Sequence, residues 1–196
     1  MKNVVSFLLA LLCLNTFTVG QTQFIKYLEN PTLALGSASA WDGRQVSDPR
    51  VFFDGTLYRM LYFGWDGSHG AIGLATSADG ISLTRYPQNP VFDGAPTYSF
   101  VRPGPVVLVG STYHMYYRAQ NTNTDAVVCH ATSPDGILWT NDVANNPVLT
   151  HGSPGQWDDV AVIPEAVLKQ GAVWKMWYVG YRANQLWRTG YATSSD

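Results

Sequence analysis

Asn89-Pro90-Val91-Phe92 follows Asn30-Pro31-Thr32-Leu33 by 59 residues, and Asn146-Pro147-Val148-Leu149 follows it by another 57. Two further phrases keep the same order and phase. Thr76-Ser77-Ala78-Asp79-Gly80 returns as Thr132-Ser133-Pro134-Asp135-Gly136 and begins again as Thr193-Ser194-Ser195-Asp196. Between them stand Gly55-Thr56-Leu57-Tyr58-Arg59-Met60, Gly110-Ser111-Thr112-Tyr113-His114-Met115 and Gly171-Ala172-Val173-Trp174-Lys175-Met176. Three phrases recurring together define units of about 30–88, 89–145 and 146–196, the signature of a repeat architecture.

Within one unit, apolar and aromatic runs alternate with turn chemistry. Val51–Phe53 ends at Asp54-Gly55, and Leu57–Phe63 closes at Gly64. Ala71–Ser77 runs to Asp79-Gly80, and Ile81–Tyr86 stops at Pro87. Four short strands joined by Asp-Gly-type turns read as a meander of hairpins. No stretch of 11 residues carries a 3.6-residue apolar period, so the chain is predicted to be all-β. A four-stranded antiparallel unit repeated at this length describes a β-propeller blade, and the length accommodates about three of them.

Residues 1–20 read separately. Lys2, the apolar run Val4–Leu14 and the small residues around Thr18-Val19-Gly20 form a secretory leader. The run is shorter than the ~20 residues of a membrane span. This predicts a secreted product, extracellular or periplasmic, with 21–196 as a partial propeller domain. Loss of Cys13 with the leader would leave Cys129 alone, so no internal disulfide is expected. A formal charge of −2 without any basic run argues against nucleic acid and anionic membrane surfaces as partners. His69, His114, His130 and His151 lack metal-ligand spacing, and no phosphate loop or nucleophile elbow is present. No metal or organic cofactor is expected.

Aligned on the three Met residues, the segments entering each innermost strand are Ser47-Asp48-Pro49-Arg50-Val51, Arg102-Pro103-Gly104-Pro105-Val106 and Ile163-Pro164-Glu165-Ala166-Val167. Asp48 and Glu165 thus fall one register position apart in separate units. Two acids brought to one channel are what glycosidic cleavage needs, one as base or nucleophile and the other as acid. Arg102, at the matching place in the second unit, would hold substrate or ion-pair with one of the acids. Trp41-Asp42 and Trp157-Asp158-Asp159 occupy equivalent loops. They would either offer indole faces and carboxylates to a sugar or plug the gap between neighbouring units.

The chain resembles the five-bladed propeller glycosidases, the superfamily of glycoside hydrolase families 43, 32, 62, 68 and 130. The resemblance rests on Asn30-Pro31 ahead of Asp48-Pro49, on the Gly-x-x-Tyr/Trp-x-Met-x-Tyr phrase, and on Trp157-Asp158-Asp159 ahead of Pro164-Glu165. It implies three of five blades over roughly 28–196, with Asp48 as base or nucleophile, Glu165 as general acid and a carbohydrate substrate. Those enzymes carry another Asp in the second blade, where this chain has Arg102-Pro103-Gly104; Asp93 and Asp125 lie out of phase. The departure keeps two other readings open, a non-catalytic glycan-binding propeller and a phosphorylase relative that holds phosphate with Arg102 and Arg50.

Overall fold

The computed structural model describes residues 24–94, 97–121, 125–182 and 187–195. It divides into two compact units, Met1–Asn30 and Pro31–Asp196. In the first, residues 24–30 form a turn in which the Asn30 side chain donates to the Tyr27 carbonyl at 2.9 Å. The expected leader over 1–20 lies outside the described residues.

The second unit is all-β, with no helix among its described residues. The first repeat holds β1 (Gln45–Phe53), β2 (Tyr58–Trp65), β3 (Gly70–Ser77) and β4 (Thr84–Arg85), each antiparallel to the next. The second holds β5 (Phe100–Arg102) and β6 (Val106–Val109), both on β7 (Thr112–Gln120), then β8 (Val127–Ser133) and β9 (Thr140–Asn141). The third is a sheet of β10 (Ala161–Gln170), β11 (Val173–Tyr181) and β12 (Arg188–Ser194). Parallel pairings hand one repeat to the next at the same place: Gly70 meets Phe100, and Ala126 meets Ala161.

Each recurring phrase has a mechanical reason. Gly55, Gly110 and Gly171 turn at φ 97°, 60° and 61°, a left-handed backbone that only glycine adopts without strain. The Met five residues later is buried each time, at Met60, Met115 and Met176. In the Thr-Ser-x-Asp-Gly turns, Ser77 Oγ accepts from the Gly80 amide at 2.9 Å and Ser133 Oγ from Gly136 at 2.8 Å. Asp79 Oδ1 accepts from the Ile81 and Ser82 amides. That turn consumes the start of the expected fourth segment, so β4 is two residues long instead of running through Ile81–Tyr86. The Asn-Pro phrase supplies side-chain clamps. Asn89 accepts from the Leu74 amide at 2.8 Å and donates to its carbonyl at 2.9 Å, and Asn146 does the same to His130 at 2.7 and 2.8 Å.

Apolar burial follows the same repeat. Leu61, Ile72, Leu74, Met115, Tyr117 and Ala131 form one core between the first and second repeats. Tyr116, Val128, Val162, Val167, Trp174 and Met176 form the next, between the second and third. Central strands buried on both faces read as near-continuous apolar runs, as Met60–Phe63 does.

Candidate active site

The first strand of every repeat carries one extra residue at the same level. In β1, Ser47 opposes Phe63 and Arg50 opposes Leu61, so Asp48 and Pro49 share Tyr62 as their opposite number. In β10, Pro164 opposes Tyr178 and Ala166 opposes Trp177, which leaves Glu165 as the inserted residue. Between β5 and β6, Pro103-Gly104-Pro105 span two residues of β7. Bulges of this kind re-aim a side chain and recur beside active sites. Asp48 itself has φ 52°, a left-handed backbone that Asp tolerates better than most residues. Both candidate acids therefore sit on irregular backbone and not in regular ladder positions.

Arginines connect them. Arg102 Nη1 donates to Asp48 Oδ2 at 2.5 Å, and the Ser47 hydroxyl donates to the same oxygen at 2.8 Å. Arg50 Nε reaches the Pro103 carbonyl and its Nη2 reaches Glu165 Oε2, both at 3.4 Å. Asp48 and Glu165 are thus tied by residues of all three repeats into one cluster. Asp48 is 40% exposed and Glu165 47%, so both carboxylates meet solvent. Beside them, Arg50, Pro105 and Ala166, register equivalents in the three first strands, line a recess of about 360 Å³.

Beneath Arg102 lies Phe63, its ring centroid 3.7 Å from the guanidinium carbon. Arg118 is its cross-strand partner on β7. Burial pushes the Arg118 pKa down, the charge of Arg102 adds to the fall, and Asp48 opposes it. Arg118 Nε and Gln120 Oε1, both buried, have no hydrogen-bond partner among the described residues. Orphaned polar atoms at one end of a sheet suit a polar ligand. The sequence reading missed Arg118 because an Arg inside a strand phrase carries no mark of its own. It also left Arg102 with two alternatives, and the structure gives the ion pair with Asp48.

The Trp-Asp pairs correct the sugar-facing expectation. Asp42 is 2% exposed and Asp158 8%. Asp42 accepts from Tyr62 Oη at 3.2 Å and from Arg85 Nε at 2.9 Å, and Asp158 accepts from Tyr178 Oη at 3.2 Å. Trp41 lies 5.7 Å from the Tyr62 ring and Trp157 5.8 Å from the Tyr178 ring. A Cβ on Gly64 would strike Trp41, and one on Gly180 would strike Trp157. Each pair thus packs against the tyrosine of its own repeat, Trp41-Asp42 on Tyr62 of β2 and Trp157-Asp158 on Tyr178 of β11. Gly64 and Gly180, four residues after Met60 and Met176, were the available signal; the second repeat lacks Trp-Asp and has Ala119 there. Asp159 accepts from the Gly155 amide at 2.6 Å and faces Arg182 at 3.6 Å, in its own loop. Among the described residues, no three His, Cys, Asp or Glu side chains are placed to hold a metal ion.

The family model described as beta-1,4-mannooligosaccharide phosphorylase, glycoside hydrolase family 130, matches residues 7–190. The chain belongs to glycoside hydrolase family 130. Solved structures resemble this family 130 chain in fold. The complex of BT0996 with RGII is 24% identical with a TM-score of 0.65, over 85% of this chain and 51% of its own. Beta-1,2-mannobiose phosphorylase from Listeria innocua is 20% identical with a TM-score of 0.58, over 77% and 41%. Zg3597, a family 117 glycoside hydrolase from Zobellia galactanivorans, is 19% identical with a TM-score of 0.63, over 77% and 52%. The family 130 chain therefore spans about half the length of these structures. No curated protein matches it.

Proposed function

We propose that this family 130 chain supplies three of the five blades of a propeller, and both working carboxylates of a secreted enzyme that cleaves glycosidic bonds in oligo- or polysaccharides. One observation carries the reading: Asp48 and Glu165, on bulges of the first and third repeats, are joined through Arg102, Pro103 and Arg50. Asp48, facing a guanidinium, acts as base or nucleophile. Glu165, the more exposed acid with the longer contact, protonates the departing oxygen. Neither role needs a cofactor.

A second reading concerns the acceptor. Arg50, Arg102 and Arg118 bring three cations to two carboxylates, and Arg118 Nε is buried without a partner among the described residues. An inorganic phosphate acceptor would balance that charge, as phosphorolysis requires. The mannoside phosphorylases among the matches support this version.

The full-length protein, incubated with aryl glycosides and mannooligosaccharides with and without phosphate, separates the readings. Turnover that proceeds without phosphate marks hydrolysis, and formation of sugar 1-phosphate only when phosphate is supplied marks phosphorolysis. Glu165→Gln should lower turnover of unactivated substrates by about 10²–10⁴-fold. Equal turnover by the variant removes Glu165 from the mechanism. Binding without turnover in the parent protein identifies a glycan-binding propeller instead.

A further inference from the structure

Asp48 sits on a bulge at φ 52°, so no ladder position fixes where its carboxylate points and hydrogen bonds must do so. Two donors reach it. Arg102 Nη1 lies 2.5 Å and the Ser47 hydroxyl 2.8 Å from Oδ2, and among the described residues no hydrogen bond ends on Oδ1. Ser47 is held in turn by Gln45, whose Nε2 donates to Ser47 Oγ at 2.9 Å. A hydroxyl has one proton to give, and an ionised carboxylate can only accept. With the Gln45 amide on a lone pair of Ser47, the Ser47 proton is committed to Asp48. The three side chains form one directed relay.

Repeat equivalence separates this relay from packing. Gln45 faces Trp65 and Ser47 faces Phe63 across β2. The matching places are Phe100 and Arg102, opposite Gln120 and Arg118, in the second repeat. In the third they are Ala161 and Ile163, opposite Tyr181 and Val179. Two first strands therefore form without a Gln-x-Ser pair, one of them with apolar residues at both positions. Arg102, the register counterpart of Ser47, reaches the same Asp48 oxygen from the second repeat. Equivalent positions of different chemistry converge on one atom.

We propose that Ser47, oriented by Gln45, is a positioning residue that fixes the Asp48 carboxylate with Oδ2 turned to protein and Oδ1 presented to the glycoside or its attacking water. The inference rests on the role proposed above for Asp48. As base, Oδ1 takes a proton from water while the water oxygen bonds the anomeric carbon, the glycosidic C–O bond breaks, and Glu165 gives its proton to the departing oxygen. As nucleophile, Oδ1 itself forms the bond to the anomeric carbon. Both steps need one oxygen held in line, and a misplacement of about 1 Å costs on the order of 10²-fold in rate.

In the full-length protein, Ser47→Ala should lower kcat roughly 10–100-fold with KM kept within about a factor of two, and Ser47→Thr, which retains the hydroxyl, should recover most of the loss. Gln45→Met should cost less alone and nothing further in the Ser47→Ala background, because Gln45 acts only through Ser47. Crystal structures give a readout independent of turnover: the Asp48 side chain should leave Arg102, or divide between rotamers, in Ser47→Ala and stay in place in Ser47→Thr. Asp48→Asn separates the two ways of failing. If it abolishes turnover while Ser47→Ala keeps the parent's kcat, the relay is overturned and the proposed function stands. If Asp48→Asn turns over like the parent, the role of Asp48 falls and the relay with it. An Asp48 carboxylate unmoved in Ser47→Ala crystals also overturns the inference.

Discussion

Arg102 Nη1 and Asp48 Oδ2 meet at 2.5 Å across 54 positions of sequence, and through them the second repeat reaches the acid of the first. Where the related propeller glycosidases have a further carboxylate, this chain places the cation that holds one. Arg102→Gln should therefore change chemistry more than stability. With both side chains partly exposed, the stability loss should stay near 1 kcal/mol. If Asp48 is the base, turnover by the full-length protein should fall at least tenfold, with Arg102→Lys recovering part of it. Unchanged turnover in Arg102→Gln would make the pair purely structural.

Asp42 offers the opposite case. Its carboxylate is buried and accepts from both Tyr62 and Arg85. Asp42→Ala strands both donors and should cost about 3 kcal/mol, measured by urea denaturation. Glycan affinity measured well below Tm should not move. A stable variant with lost affinity would restore the sugar-facing reading of the Trp-Asp pair.

Acid should weaken the contact between the second and third repeats. Burial lowers the His114 pKa, helped by the charges of His130 and Lys169. A base whose folded pKa lies below its unfolded value of 6.5 is more often neutral when folded. Its contribution is complete above about pH 6.5 and declines as pH falls through that value toward the folded pKa. Thermal melts should show Tm dropping between pH 7 and pH 5, and His114→Gln should flatten that slope.

Alkali should act through the tyrosines. The Tyr62 pKa is pushed up to about 12 by burial first and by Asp42 second. Burial also raises Tyr98, Tyr117 and Tyr178. For Tyr62 the folded state holds the proton more tightly, so its contribution is complete below pH 10 and is lost as pH rises toward 12. A phenolate absorbance titration should show these four ionising above the ordinary tyrosine value of about 10, or together with unfolding. Full ionisation of all 11 tyrosines near pH 10 in folded protein would contradict the packing.

Much of this fold was legible because repeats test themselves: a glycine and a methionine recurring in phase in all three repeats each proved to have one mechanical job, and Asn89 and Asn146 share another, whereas Asn30 serves a local turn. The bulges were not legible. Asp48-Pro49, Gly104 and Glu165 look like ordinary neighbours until strand register shows one surplus residue in each first strand. Nor could composition decide the Trp-Asp pairs, since an indole beside a carboxylate suits both a sugar platform and a plug. The small residue opposite decides it, and that residue lies on another strand. Arg118 stayed hidden for a related reason, its significance coming from Arg102 across the ladder and not from anything adjacent in sequence.

Gly104→Ala should be among the most damaging small changes. A methyl there overlaps the Tyr116 carbonyl oxygen and presses on Pro164. Overpacking against backbone predicts a loss of about 3 kcal/mol and a Tm fall of roughly 6–12 °C. A melting temperature like that of the parent would show that the two repeats separate more easily than their packing indicates.

The same crowding limits what descendants of this protein, natural or designed, can become. Gly104 is the register counterpart of Glu165, the place where a third acid would most directly enter the cluster, and no side chain fits there without parting two neighbouring sheets. An engineer seeking a three-acid centre must therefore graft it onto a loop or rebuild the middle sheet, because no single codon change leads there.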